Sequence, residues 1–260
     1  ALNKLKMADN VEYVQVASDK FNLLLDNPNV LGILVAIFLV ILTIIFFTLY
    51  RRSKGKRNGV LFLGLCDSGK TLIYAKLLSG KFVQTHTSIQ ENIGEYLSGT
   101  VSLKIVDIPG HERLRNRYFD QYKSIARGLV FIIDSLNIQK DVKDVAEFLY
   151  NCLSDNVVRS NCPPVLILCN KQDEPTAKGS AVIKSLLEKE MNILRKTKTS
   201  QLDSIENKSS NVFIGKEGKD FEFSHLSPMK IDFAESSAIF DEEENAINLG
   251  ALEEWINSVA

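Results

Sequence analysis

The chain has 260 residues, 31 of them Lys or Arg against 32 Asp or Glu, for a net charge of −1, and 45% are hydrophobic. That length holds one globular domain of ordinary size plus an extra segment, and the near-neutral balance argues against binding nucleic acid through bulk electrostatics. Cys66, Cys152, Cys162 and Cys169 form no CxxC pair, and His86, His111 and His225 lie scattered without ligand-spaced partners, which argues against a disulfide framework and a zinc site.

Residues 1–29 mix Lys4, Lys6 and Lys20 with Asp9, Glu12, Asp19 and Asp26 and read as a short tail. Residues 30–50 contain no charge, and 16 of these 21 residues are Val, Leu, Ile or Phe. As a helix this run is about 30 Å long, the hydrocarbon thickness of a bilayer. Its apolar residues contribute roughly −5 to −10 kcal/mol on an insertion scale, more than Gly32 and two threonines oppose. A cleaved signal peptide would place its basic cluster before the apolar run. Here Arg51, Arg52, Lys54, Lys56 and Arg57 follow it, within a basic linker of residues 51–58. The positive-inside rule then predicts a single-pass protein with a lumenal tail at 1–29, a span at 30–50 and a cytosolic domain at 59–260. The linker reads as a solvated stop-transfer sequence rather than a specific lipid site.

From Asn58 on, short apolar runs alternate with amphipathic ones, the pattern of an α/β domain with a largely parallel sheet. Strands are predicted at 59–64, 93–98, 101–107, 128–134, 164–169 and 229–234. Helices are predicted at 70–79, 118–126, 139–154, 178–195 and 248–259. Only Ser98-Gly99-Thr100 joins the second and third strands, too short for a crossover, so that pair must be antiparallel. Residues 196–222, rich in Lys, Ser, Thr, Asn and Gly, read as a long loop insertion, with Phe213 and Ile214 docking it locally. Asp241 to Glu244 read as a solvated loop.

Gly64-Leu65-Cys66-Asp67-Ser68-Gly69-Lys70-Thr71 is a GxxxxGKT loop between a strand-like and a helical run. Backbone N–H groups of such a loop converge on an anion, Lys70 reaches terminal phosphates, and the Thr71 hydroxyl is placed to ligate Mg²⁺. Asp107-Ile108-Pro109-Gly110 follows the third strand, where a carboxylate can hold that ion through water and a glycine N–H can approach a γ-phosphate. Asn170-Lys171-Gln172-Asp173 follows the fifth strand; a carboxylate at Asp173 accepts both N1–H and N2–H₂ of guanine, which adenine cannot offer. Ser236-Ser237-Ala238 follows the last strand, where a backbone N–H meets guanine O6. All four lie where open α/β sheets bind nucleotides, beyond the carboxyl ends of strands.

In this order the four motifs resemble those of the Ras-like GTPases, and within them the Arf-like branch. The likeness implies a Ras-like G domain: a six-stranded, mostly parallel sheet flanked by helices, here preceded by a transmembrane helix. An N-terminal span, a GTPase-like domain, Asp107 to Glu112 reading DIPGHE and the segment Gly215 to Phe223 are similar to the family of signal recognition particle receptor beta subunits. That resemblance implies GTP and Mg²⁺ as ligands and a location at the endoplasmic reticulum membrane. It further implies the receptor alpha subunit as a partner bound in the GTP state, ribosome or translocon contacts at most indirect, and no direct nucleic acid. Carried over by position, Thr87 is the switch threonine and a second ligand of the ion, with Thr85 only two residues away. Asp107 and Gly110 begin the second switch. His111 stands where most relatives carry a water-positioning Gln, so unaided hydrolysis is expected to be slow. The leading expectation is a nucleotide-controlled binding module. An Arf-like trafficking GTPase cycling by hydrolysis is the alternative; a permanent anchor and a C-terminus without a prenylation motif weigh against it.

Overall fold

Strands whose sequences are unbroken apolar runs become the middle of the sheet, because only a strand covered on both faces can bury every side chain. The computed structural model describes residues 28–54, 57–80, 83–203, 213–238 and 248–260. The chain divides into two compact units, 1–56 and 57–260. In the second, β1 (Gly59–Leu63), β2 (Asn92–Ser98), β3 (Val101–Asp107), β4 (Ala126–Asp134), β5 (Val165–Asn170) and β6 (Ile231–Glu235) form one sheet in the order β2-β3-β1-β4-β5-β6. β1 and β5 are buried at every position, whereas β2 at the edge alternates. All neighbours pair in parallel except β2 and β3, which are antiparallel from Asn92↔Asp107 to Ser98↔Val101, as the short connection through Gly99 and Thr100 requires.

Period-two alternation divides the core between the two faces. Leu61, Leu63, Phe131, Ile133, Ile167 and Cys169 meet α3 (Glu112–Tyr122), α4 (Ile138–Ser154) and α6 (Ser180–Asp203) on one side. Val60, Phe62, Val130, Ile132, Leu166 and Leu168 meet α2 (Lys70–Ser79) and α7 (Gly250–Val259) on the other. The helices answer with 3.6-residue spacing: Val145, Phe148, Leu149 and Cys152 on α4, Ile183, Leu187 and Met191 on α6, Leu252, Trp255 and Ile256 on α7. Each such side chain contributes about 1.5–3 kcal/mol by leaving water. The carboxyl ends of β1, β3, β4, β5 and β6 thereby share one edge of the sheet.

Several boundaries move for local reasons. α3 begins at Glu112 rather than 118, because extended His111 caps it, its Nδ1 accepting from Arg113 N at 3.3 Å, and Glu112 complements the helix dipole. α5 (Asn156–Asn161), absent from the predicted elements, is capped by Asp155 Oδ1, which accepts from Val157 N at 2.8 Å and Val158 N at 3.2 Å. The expected loop at 196–222 is corrected over its first eight residues, since α6 runs on to Asp203. Residues 204–212 lie outside the described residues, and 213–222 return along a fixed path. There Ile214 and Phe221 are buried, and Arg195, also buried, donates to Lys216 O at 3.2 Å and to Lys219 O. Phe213 lies against the Arg195 guanidinium, 5.1 Å from its ring centre. The expected loop at 241–244 lies outside the described residues.

In the first unit, α1 (Pro28–Lys54) contains the whole apolar run and carries Arg51, Arg52 and Lys54 in its last turn. Its large described side chains are exposed, from Ile41 at 49% to Phe46 at 70%. Among the described residues no helix is long and apolar enough to cross a membrane. The tail at 1–27 lies outside the described residues.

Candidate nucleotide site

The loop between β1 and α2 has a backbone that only small residues permit at its ends. Gly64 has φ 143°, and a Cβ there would stand 2.2 Å from Ile132 O; Gly69 has φ 88°, and a Cβ there would stand 2.3 Å from Asn170 Nδ2. Asp67 between them also takes a positive φ, 60°. α2 starts at Lys70 with no side-chain cap, leaving its first N–H groups directed into the loop. Lys70, 6% exposed, donates to Leu65 O at 2.5 Å and Ser68 Oγ at 3.3 Å. Burial pulls its ammonium below the usual lysine range, against the attraction of Asp107, Cys66 and Asp67.

Asp107 arrives on the end of β3. Its Oδ2 accepts from Thr71 Oγ1 at 2.7 Å and from Asn92 Nδ2 at 2.9 Å, while the buried Oδ1 has no partner. Burial holds this carboxyl above its usual range, although Asn92, Thr71 and Lys70 each favour the ionised form. Gly110 lies against the first loop: a Cβ on it would fall 2.5 Å from Cys66 N. Cys66, Asp67, Gly69, Lys70 and Thr71 line a cavity of about 220 Å³ together with Thr85, His86, Thr87, Ser88, Ile108, Pro109 and Gly110. Three separate loops therefore meet at one phosphate-sized space, and Thr87 is among its walls. His111 is not; it is exposed and occupied as the cap of α3.

The other end of the site is assembled from β5 and β6. Asn170 Nδ2 donates to Ser68 O at 2.9 Å, tying this loop to the phosphate loop, and its Oδ1 accepts from Ser236 Oγ at 3.2 Å. Ser237 Oγ donates to Asp173 Oδ1 at 2.8 Å, and Gln172 N to Ser236 O at 3.1 Å. Lys171, at φ 67°, pairs with Asp134 at 2.7 Å. Ala238 is buried behind this loop in the core over β5. An exposed carboxylate steadied by Ser237 has its other oxygen available to a base edge.

Three participants escaped sequence reasoning: Asn92 on Asp107, Ser88, whose Oγ lies 3.2 Å from Thr71 Oγ1, and Asp134 on Lys171. Ser88 adjoins the expected switch threonine, and Asn92 faces Asp107 once the hairpin register is set. No signal in the chain singles out Asp134 in advance. For Mg²⁺ the residues fit: an unpartnered buried carboxylate oxygen next to a threonine hydroxyl is a hard-oxygen donor set. Among the described residues no three His, Cys, Asp or Glu side chains converge, so an ion here depends on phosphate oxygens, as Mg²⁺ sites in nucleotide-binding proteins commonly do.

The six-stranded sheet and the loops beyond its carboxyl ends define a G domain of the Ras-like and Arf-like class. The model of the signal recognition particle receptor beta subunit family matches residues 55–229. The chain is 41% identical over 239 residues to the human signal recognition particle receptor subunit beta, spanning 90% of this chain and 88% of that one. It is 29% identical to the Dictyostelium discoideum subunit over 226 residues, 79% of this chain and 77% of that one. Among solved structures, the mammalian signal recognition particle receptor superposes with TM-score 0.67 at 43% identity, covering 78% of this chain and all of that one. A Chaetomium thermophilum complex described as SRb-GTP/SRX shares the fold, with TM-score 0.59, 22% identity and 77% and 97% of the two chains covered. The chain belongs to the signal recognition particle receptor beta subunit family, and not to the Arf-like trafficking proteins that were the alternative.

Proposed function

We propose that this chain is a membrane-anchored, guanine-nucleotide-binding receptor subunit that holds the receptor alpha subunit at the endoplasmic reticulum membrane in its GTP state. The observation that carries the reading is the cavity walled by Cys66, Asp67, Gly69, Lys70 and Thr71 together with residues 85–88 and 108–110, because a terminal phosphate there would bind all three loops at once and order them together. The names of the relatives support the receptor assignment, and the SRb-GTP/SRX description supports a GTP-dependent partner. Lys70 and the loop amides would hold phosphates, while Thr71, Thr87 and Asp107 would hold Mg²⁺, which offsets charge between phosphate oxygens. Asn170, Lys171, Asp173, Ser237 and Ala238 would specify guanine. With His111 turned to capping α3, intrinsic hydrolysis would be at or below the Ras-like range of about 10⁻⁴ s⁻¹.

The 21 uncharged residues inside α1 and the basic residues after them support a single pass with residues 59–260 cytosolic and the tail lumenal. Two measurements test the reading. Alpha-subunit recruitment by GTP-loaded chain should exceed that by GDP-loaded chain, and equal recruitment would remove nucleotide control. The chain should resist carbonate extraction from microsomes while its G domain is digested by added protease; a protected domain would reverse the topology.

A further inference from the structure

Lys171 has a backbone that a residue with a Cβ disfavours, φ 67°, and it lies inside the loop that carries both Asn170 and Asp173. What secures it there is Asp134 at the end of β4. Asp134 Oδ2 accepts from Lys171 Nζ at 2.7 Å and from Asn137 Nδ2 at 2.9 Å, while Oδ1 accepts from Leu136 N at 2.9 Å and Asn137 N at 3.3 Å. The pair is well sheltered, with side chains 26% and 13% exposed. Burial disfavours the Asp134 charge, but Lys171 and Asn137 outweigh it and keep the carboxyl below its usual range. The neighbouring residue reinforces the contact: Ser135 N donates to Asn170 O at 3.1 Å and Ser135 Oγ accepts from Gln172 Nε2 at 2.9 Å.

We propose that Asp134 is a positioning residue for nucleotide retention: its ion pair with Lys171 clamps the β5–α6 loop from the side, so that Asn170 and Asp173 hold their places when the ligand leaves and returns. The inference rests on the guanine-binding reading above. Because Asp134 acts on the whole loop and is not among the residues that read the base, its loss should speed release of every nucleotide without altering which base is preferred.

The test measures release of fluorescent GDP and GTP analogues from the full chain in detergent micelles for Asp134→Asn, Lys171→Met and the double variant. Asp134→Asn keeps Oδ1 as an acceptor for the Leu136 and Asn137 amides and replaces Oδ2 with an NH₂ that meets the Lys171 ammonium and Asn137 Nδ2 donor to donor. Each single variant should release both nucleotides about 10- to 100-fold faster, Asp134→Asn with the ratio of GTP to XTP affinity unchanged, and the double variant should be no faster than Lys171→Met alone. Wild-type release from Asp134→Asn, or multiplicative effects in the double variant, would overturn the clamp. If Asp134→Asn does not fold, Asp134→Ser, whose short hydroxyl keeps a local acceptor for the turn amides but does not reach Lys171, decides the matter by the same rates and the same GTP to XTP ratio. Asp173→Asn serves as the reference: if it fails to change base preference, the guanine reading itself falls, whereas if it changes preference while the clamp variants release normally, only the clamp does.

Discussion

The two ends of the nucleotide site are built on opposite plans. At the base end the side chains are already joined to one another: Asn170 to Ser68 and Ser236, Asp173 to Ser237, Lys171 to Asp134. At the phosphate end, charge is buried with too few partners. The Lys70 ammonium leans on a carbonyl and a hydroxyl, and Asp107 keeps one carboxylate oxygen unpaired in the interior. A preformed end reads the ligand with little reorganisation, whereas an under-satisfied end gains most when phosphate and cation arrive, which is where a switch should store its response.

The strongest challenge to this contrast is Asp173→Asn. The Asn can keep the Ser237 hydrogen bond but turns an NH₂ donor toward guanine's own donors. Losing one charge-assisted bond and opposing two donors should lower GTP affinity roughly 30-fold to 10⁴-fold and make XTP, with a carbonyl at that place, the preferred ligand. Fluorescence competition with both nucleotides decides it, and a mutant that still prefers GTP would show that Asp173 does not read the base.

Gly110→Ala probes the other end. Its Cβ would lie 2.5 Å from Cys66 N, a backbone atom that cannot swing aside. Overpacking of this kind should reduce affinity for GTP and GDP about 10- to 100-fold by calorimetry; wild-type affinity would mean that nucleotide binds with the two loops further apart.

Asp107→Asn separates stability from function. Removing a buried, half-paired charge should raise the ligand-free stability in urea by about 1 kcal/mol while abolishing the Mg²⁺ dependence of GTP binding. Its pH signature has a definite sign. The folded-state pKa of Asp107 is raised by burial, so its contribution is fully present below the unfolded-state pKa and is lost as pH rises through the folded one. The wild-type urea midpoint should therefore carry a downward component over that window that Asp107→Asn lacks. The smallest expected effect is that of Ser237→Ala, which frees Asp173 without removing it. GTP affinity should weaken about 2- to 10-fold with guanine preference intact.

Period and punctuation made most of this fold readable. The buried runs of β1 and β5, the glycines around Lys70 and the short β2–β3 turn each have a local cause, so they stand in the sequence. Even α5 had a visible sign in Asp155, an N-cap immediately after an amphipathic run. Polar composition makes the insertion resemble loop throughout, whereas α6 continues into it as far as Asp203 and buried Arg195 fastens the segment around Lys216 and Lys219. The contacts that complete the site are a different matter. Asn92 meets Asp107 across 15 residues, and Asp134 meets Lys171 across 37, pairings that exist only after the sheet has formed.

The bond between Asn170 and Ser68 joins residues 102 apart, and that between Ser237 and Asp173 spans another 64. A ribosome making this chain would release the phosphate loop long before either partner of the base loop had emerged. Nascent chains halted before Ser237 should thus hold nucleotide poorly, however well their early helices form. Occupancy would then report that synthesis has passed the last of these contacts, and the nucleotide would stabilise only the finished domain, acting as a late proofreading step in its biogenesis.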